Sequence, residues 1–188
     1  MKEAEVLKIF QESGALQSGH FKLSSGLHSG QYMQCALVLQ HPRYAEKLCK
    51  ALAEKFKDDK VAVVVGPAIG GIVVSCEVGR ALGVRSIFTE REDGKTKFRR
   101  GFSVDKNDRV LVVEDVVTTG KSTKEVLEVI RSTGASIVGI GALVDRLNGT
   151  AFNENYASLV RIEIPTFKPE ECPLCKKEQP VIKPGSRS

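Results

Sequence analysis

Two carboxylates, Glu114 and Asp115, stand side by side directly after the apolar run Val110, Leu111, Val112, Val113. Directly behind them come Val116, Val117, Thr118, Thr119, Gly120, Lys121 and Ser122, which lead into a helical pattern. Backbone N–H groups at a helix start bind phosphate, threonine hydroxyls add donors, and a glycine lets the backbone approach an anion. Carboxylates do not bind phosphate; they accept from sugar hydroxyls or hold a divalent ion. The joint chemistry is that of a phosphorylated sugar. The plain alternative is a strand-to-helix turn with a Thr or Ser cap, and the two adjacent acids at the strand end argue against it. Gly120-Lys121-Ser122 matches the end of a P-loop, but the first glycine of that motif falls on Asp115. The glycines at 66, 70 and 71 lack the GxGxxG spacing of a dinucleotide site.

Three other segments carry chemistry. Gly66, Pro67, Ala68, Ile69, Gly70 and Gly71 follow the run 61–65, and such a glycine-rich turn forms an N–H nest for an anion. The stretch 91–100 holds Arg91, Lys95, Lys97, Arg99 and Arg100 against Glu92 and Asp93. Such a cationic loop neutralises an anionic leaving group as charge develops, or is simply a solvated hairpin or a nucleic-acid contact. Arg146 follows Asp145 after an apolar run and offers a rigid fork of donors to a planar acid. The pair Cys172 and Cys175 supplies two thiols where a structural zinc takes four ligands. The remaining cysteines, 35, 49 and 76, are distant in sequence and the histidines lie at 20, 28 and 41, so the expectation there is a tail turn without metal.

Elements must place these groups. Apolar spacing predicts helices over 3–12 and from Pro42 to about Phe56, strands at 61–65, 84–90, 110–115, 136–144 and 159–164, and helices after 71 and after 122. Residues 21–24 are a candidate strand in an otherwise loop-like stretch. Runs 61–65 and 110–113 are apolar at every position, as a parallel sheet covered on both faces requires. Strand–helix alternation predicts a mostly parallel α/β fold, whose ligands bind at the carboxyl ends of the strands. The expected organisation is an N-terminal hood over 1–40, an α/β core over 41–165 and a polar tail over 166–188.

The chain has 188 residues and a formal net charge of +5, with 41 % apolar residues, enough for one domain with a real core. Recurrent apolar runs argue against disorder, and none is long enough to span a membrane. The N-terminus has no basic stretch leading into an apolar one, so a cytoplasmic protein with reduced thiols is expected. Stretch 91–100 alone contributes +3 of the +5, which favours a local anion-facing loop over a nucleic-acid surface.

The segment 110–122 resembles the signature of the type I phosphoribosyltransferases, which bind phosphoribosyl pyrophosphate. The resemblance implies that Glu114 and Asp115 hold ribose hydroxyls, that Val116, Val117, Thr118, Thr119, Gly120, Lys121 and Ser122 wrap the 5′-phosphate, and that Pro67, Ala68, Ile69 and Gly70 form the pyrophosphate loop. Segments 20–35, 89–101 and 143–149 resemble the orotate-using branch of that family. This implies transfer of the phosphoribosyl group to orotate, giving orotidine 5′-phosphate and diphosphate in pyrimidine biosynthesis, with Mg2+ held mainly by substrate and water. Ser24, Ser25, Gly26, Tyr32, Thr118 and Arg146 would frame orotate. Lys95, with Arg91 and Lys97, would be catalytic, on a mobile loop 91–100 that reaches the partner's site in a homodimer. Many members carry Lys where Ser24 stands and His where Lys97 stands. Purine, uracil or xanthine enzymes of the same fold, and regulators that bind phosphoribosyl pyrophosphate or nucleic acid, are the alternatives; neither needs Arg146 beside such a loop.

Overall fold

Val63, Val64 and Val65, and Val110 through Val113, are all completely buried. Burial at every position means that both faces of their sheet are covered. The computed structural model describes residues 1–23, 25–146 and 152–184. In chain order these form α1 (Glu3–Glu12), β1 (Leu16–Lys22), β2 (His28–Met33), α2 (Ala36–Leu39), α3 (Pro42–Ala53), β3 (Val63–Pro67), α4 (Gly70–Leu82), β4 (Arg85–Glu92), β5 (Lys95–Phe98), β6 (Arg109–Val117), α5 (Lys121–Arg131), β7 (Ser136–Asp145), β8 (Tyr156–Arg161) and β9 (Thr166–Phe167). Among the described residues no helix is long and apolar enough to cross a membrane.

The main sheet has the order β5-β4-β3-β6-β7-β8. Every pairing in it is parallel except β4 with β5. Strand order steps one way from β3 to β4 and the other way from β6 to β7, so the direction of winding reverses between β3 and β6. Alternate residues of these two strands feed different cores. Val64, Leu111 and Val113 pack with α1, α3 and α4 through Phe10, Leu48, Leu52, Val74 and Val78. Val63, Val65, Val110 and Val112 pack with α5 through Val126, Leu127 and Ile130. Two helical layers therefore sandwich the sheet, and the crevice at the strand ends opens at the reversal, where α/β folds take ligands.

Several local expectations shift. The N-terminal strand is 16–22 rather than 21–24, because it pairs antiparallel with β2 from Leu16↔Met33 to Lys22↔His28. The last core strand is 156–161 rather than 159–164, set by its register with β7. β6 continues past the acidic pair to Val117, because β7 runs beside it and pairs Val116 with Val144 and Val117 with Asp145. Within 91–100, β4 and β5 form a hairpin, with Asp93 and Gly94 at the turn in left-handed conformation. The tail is not free. β9 pairs with β2, Ile182 N–H donates to the His20 carbonyl (2.8 Å) and Lys22 N–H donates to the Ile182 carbonyl (2.8 Å). Tail and hood thus share one small sheet, β1-β2-β9, extended by this bridge.

Candidate active site

Glu114 and Asp115 sit in β6 beyond the point where its ladder with β3 ends at Val65↔Val112. β3 turns there into α4 through Pro67, Ala68, Ile69 and Gly70, with a cis peptide between Ala68 and Ile69. Ala68 N–H donates to the Thr89 carbonyl (2.8 Å), which ties the turn to β4. The turn has no room for side chains at its glycines. A Cβ on Gly66 would lie 2.7 Å from the Gly71 carbonyl carbon, and one on Gly71 would lie 2.7 Å from Pro67 Cδ. A Cβ on Gly70 would lie 2.6 Å from Asp115 Cγ. The β3–α4 turn therefore lies directly against the carboxylate of Asp115.

Both acids are held against their chemistry. Burial, and then the Asp115 charge beside it, push the Glu114 carboxyl well above the usual carboxylate range. Burial also raises Asp115, against the pull of the Val116 N–H that donates to its Oδ1 at 2.8 Å. Carboxylates placed so gain from any ligand that donates hydrogen bonds to them or brings positive charge. Beyond them Thr118 and Thr119 are exposed. Gly120 takes the left-handed conformation (φ 70°) and caps α5, and Lys124 N–H donates to its carbonyl (2.9 Å). Lys121 N–H leans toward Thr119 Oγ1 (3.4 Å). The N–H groups at the start of α5 thus open beside two exposed threonines, an anion cradle with glycine where the backbone needs it.

Arg146 stands at the end of the neighbouring strand, its N–H bonded to the Val117 carbonyl (2.8 Å). Its Nε is buried and has no hydrogen-bond partner among the described residues. Burial lowers its pKa, while Cys35 and Tyr32 lie within electrostatic reach. Cys35, which the sequence did not single out, links these groups. Burial and then the charges of Asp115 and Glu114 hold its thiol well above the usual range, so it is neutral, within electrostatic reach of the acids and of Arg146. Tyr32 comes from β2 and its ring packs on Phe21 at 5.7 Å. Ser25 and Gly26 sit at the β1–β2 turn, where Gly26 N–H donates to the Leu23 carbonyl (2.9 Å). Ser24 lies outside the described residues.

The basic hairpin is largely neutralised. Arg91 pairs with Glu125 of α5, which also accepts from Thr96 Oγ1 (2.8 Å). Lys97 and Arg99 pair with Glu92 (3.0 and 3.2 Å), and Arg100 grips Glu90 with two bonds (2.8 and 2.9 Å). Lys95 is exposed and has no ion pair among the described residues. The surplus of charge read along the stretch is thus mostly spent inside the protein, with Glu90 and Glu125 supplying carboxylates from outside 91–100. Lys95 is the cation left available.

The phosphoribosyl transferase domain model matches residues 36–172. The chain is 54 % identical to the orotate phosphoribosyltransferase of Pelotomaculum thermopropionicum over 100 % of its own length and 99 % of the relative's. The chain belongs to the orotate phosphoribosyltransferase branch of the type I phosphoribosyltransferase family. The enzyme of the same name from Desulforamulus reducens is 53 % identical, covering 100 % of this chain and 98 % of that one. The crystal structure of orotate phosphoribosyltransferase from Aeropyrum pernix superposes with a TM-score of 0.67 at 26 % identity, over 84 % of this chain and 93 % of the other. The phosphoribosyltransferase architecture thus accounts for the parallel sheet, the flanking helices and the N-terminal extension.

One cluster was missed from sequence. His20, His28, Cys172 and Cys175 converge, their ligand atoms all within 4.8 Å of one another. The expected metal-free tail turn counted two thiols and judged the histidines too distant. The available signal was only a pair of histidines eight positions apart flanking a glycine-containing turn; His20 lies where the β1–β2 register shifts between Ser18 and Phe21, so strand alternation alone does not place the two imidazoles together.

Proposed function

We propose that the chain transfers the 5-phosphoribosyl group of phosphoribosyl pyrophosphate to orotate, forming orotidine 5′-phosphate and diphosphate, a pentosyl transfer in pyrimidine nucleotide synthesis. The observation that carries this reading is the meeting, at the winding reversal, of a buried acid pair, two backbone anion cradles and an Arg146 Nε with no partner among the described residues. Glu114 and Asp115 accept from the ribose hydroxyls, which holds them ionised. The 116–122 turn takes the 5′-phosphate on N–H groups and the hydroxyls of Thr118 and Thr119. The Pro67–Gly70 turn takes the diphosphate. Arg146 offers Nε and its terminal nitrogens to the carboxylate or carbonyl edge of orotate, with Thr118, Ser25, Gly26 and Tyr32, and by resemblance Ser24, framing the base.

In the reaction, N1 of orotate gives its proton to water and bonds to C1′, while the C1′–O bond breaks and its electron pair leaves with diphosphate. No enzyme nucleophile is needed. Lys95 meets the departing charge, and Arg91 and Lys97 follow when their ion pairs with Glu125 and Glu92 open. Exposed pairs of this kind are worth roughly 0–1 kcal/mol, so opening them is no obstacle to loop closure. Mg2+ fits this site chemically, since the acid pair is a hard-oxygen set held short of compensating charge. Glu114 and Asp115 would hold it through ribose hydroxyls and water rather than as a cage. When bound, Mg2+ supplies charge that offsets the leaving diphosphate.

The resemblance supports a homodimer in which loop 91–100 serves the partner's site, and Lys95, exposed and without an ion pair among the described residues, is the residue available to do so. A cytoplasmic location suits a phosphorylated substrate, and the internal neutralisation of 91–100 speaks against a nucleic-acid partner. The test is turnover of orotate with phosphoribosyl pyrophosphate and Mg2+, against uracil, adenine and xanthine. Orotidine 5′-phosphate formation is expected; turnover of adenine or xanthine but not orotate overturns the assignment.

A further inference from the structure

The structure assigns a closed, four-ligand Zn2+ site to His20, His28, Cys172 and Cys175, which staples the C-terminal tail onto the β1–β2 hairpin. It is separate from the acid pair and rests on no reading of the reaction.

Geometry comes first. His20 Nε2 lies 2.9 Å from His28 Nδ1, 3.5 Å from Cys172 Sγ and 3.6 Å from Cys175 Sγ. Cys175 Sγ lies 3.2 Å from His28 Nδ1. A tetrahedral Zn2+ with nitrogen and sulfur bonds of about 2.0–2.3 Å leaves its ligand atoms about 3.3–3.8 Å apart. Four of the six separations are at or just under that spacing and all six lie within 4.8 Å, so the four atoms outline an irregular tetrahedron that modest shifts close on the ion.

The surroundings are those of ligands. His20 Nδ1 sits 2.8 Å from the Gln179 carbonyl. Donation there fixes the tautomer and turns the Nε2 lone pair inward, as an outer partner does for a zinc-bound histidine. His20, His28 and Cys172 are buried. Two thiolates, two neutral imidazoles and one Zn2+ sum to zero charge, which suits a buried place. The thiolate–imidazole set selects Zn2+ over the oxygen-seeking Mg2+. Four protein ligands leave no open position, so the role is structural.

The fold needs such a staple. Of residues 165–184, Cys172 alone is fully buried. β9 has two residues, and Val181 and Ile182 are 49 % and 57 % exposed. The tail thus has almost no apolar burial to hold it on the hood. A metal clip between residues 152 positions apart, such as His20 and Cys172, removes much chain freedom from the unfolded state.

The test uses the full chain without an affinity tag. Elemental analysis of purified protein is expected to return about one zinc per chain. After metal removal, added Co2+ is expected to give the intense visible bands of a tetrahedral thiolate site, bleached by equimolar Zn2+, and chelation is expected to expose the tail to limited proteolysis. His28→Ala and Cys175→Ser are each expected to lose the bound zinc. Because the wild-type measurements stand without the variants, a variant that fails to fold does not decide the matter. Wild-type protein that holds no zinc and gives only the weak spectrum of octahedral Co2+ overturns the proposal. So does a Cys172–Cys175 disulfide in freshly isolated protein, seen as a two-proton mass loss.

Discussion

Gly70→Ala adds one methyl group at the place where the two anion-cradling turns meet. The new Cβ would lie 2.6 Å from Asp115 Cγ and 2.9 Å from Oδ1, and closer still to Oδ2. Ordinary contact needs roughly 1 Å more, so something must move. The backbone cannot retreat: Gly66 and Gly71 already touch, and Pro67 Cδ would lie 2.7 Å from a Cβ on Gly71. The carboxylate of Asp115 moves instead, at the expense of its bond from Val116 N–H. That loss is about 1–2 kcal/mol, and replacing a helical glycine by alanine returns about 1 kcal/mol, so stability changes by about 1 kcal/mol or less. Displacing by about 1 Å the group that orients the ribose costs on the order of 100-fold in rate, or about 2.7 kcal/mol of transition-state stabilisation. The assay is kcat/KM for phosphoribosyl pyrophosphate at saturating orotate, read beside Tm. The expected result is a large fall in kcat/KM with a nearly unchanged Tm. A Gly70→Ala protein with kcat/KM within threefold of the parent refutes the claim that the position of Asp115 governs the site.

Arg146→Lys keeps the charge and loses the planar fork and its buried Nε, so KM for orotate is expected to rise about 10–100-fold while KM for phosphoribosyl pyrophosphate stays within about threefold; a shift confined to the latter contradicts the base-binding role. Lys95→Ala is expected to lower kcat about 100-fold or more and leave Tm unchanged, since Lys95 is exposed and unpaired among the described residues; undiminished turnover removes Lys95 from the mechanism. Glu114 titrates above its unfolded value. Burial of its neutral form is therefore harmless below the unfolded pKa, and stability falls as pH rises from there through the folded pKa. Thermal unfolding against pH is expected to show this fall in the ligand-free wild type and a flatter profile in Glu114→Gln, and identical profiles would contradict it.

What was legible in the sequence was local. Runs 61–65 and 110–113 announce a doubly covered sheet because no polar side chain is tolerated on either face of such strands, although β3 itself begins only at Val63 and Ala62 is exposed. The acid pair, Thr118, Thr119 and Gly120 carry the proposed phosphosugar reading locally, because each would act through its own backbone and its immediate neighbours. The family resemblance then extended roles to Arg146 and Tyr32, which the fold brings within electrostatic reach of each other. Tertiary structure decided the rest. Pairing with β7 carried β6 past Asp115 to Val117. Glu125, 34 positions from Arg91, neutralised part of a loop that looks strongly cationic when counted by itself. Cys35 came within electrostatic reach of both the acids and Arg146. Two histidines of the hood met two cysteines of the tail 152 positions from His20 and 147 from His28. Periodicity and spacing describe neighbours along the chain, whereas these contacts arise from strand register and from the path of the tail back over the hood, which no local pattern encodes.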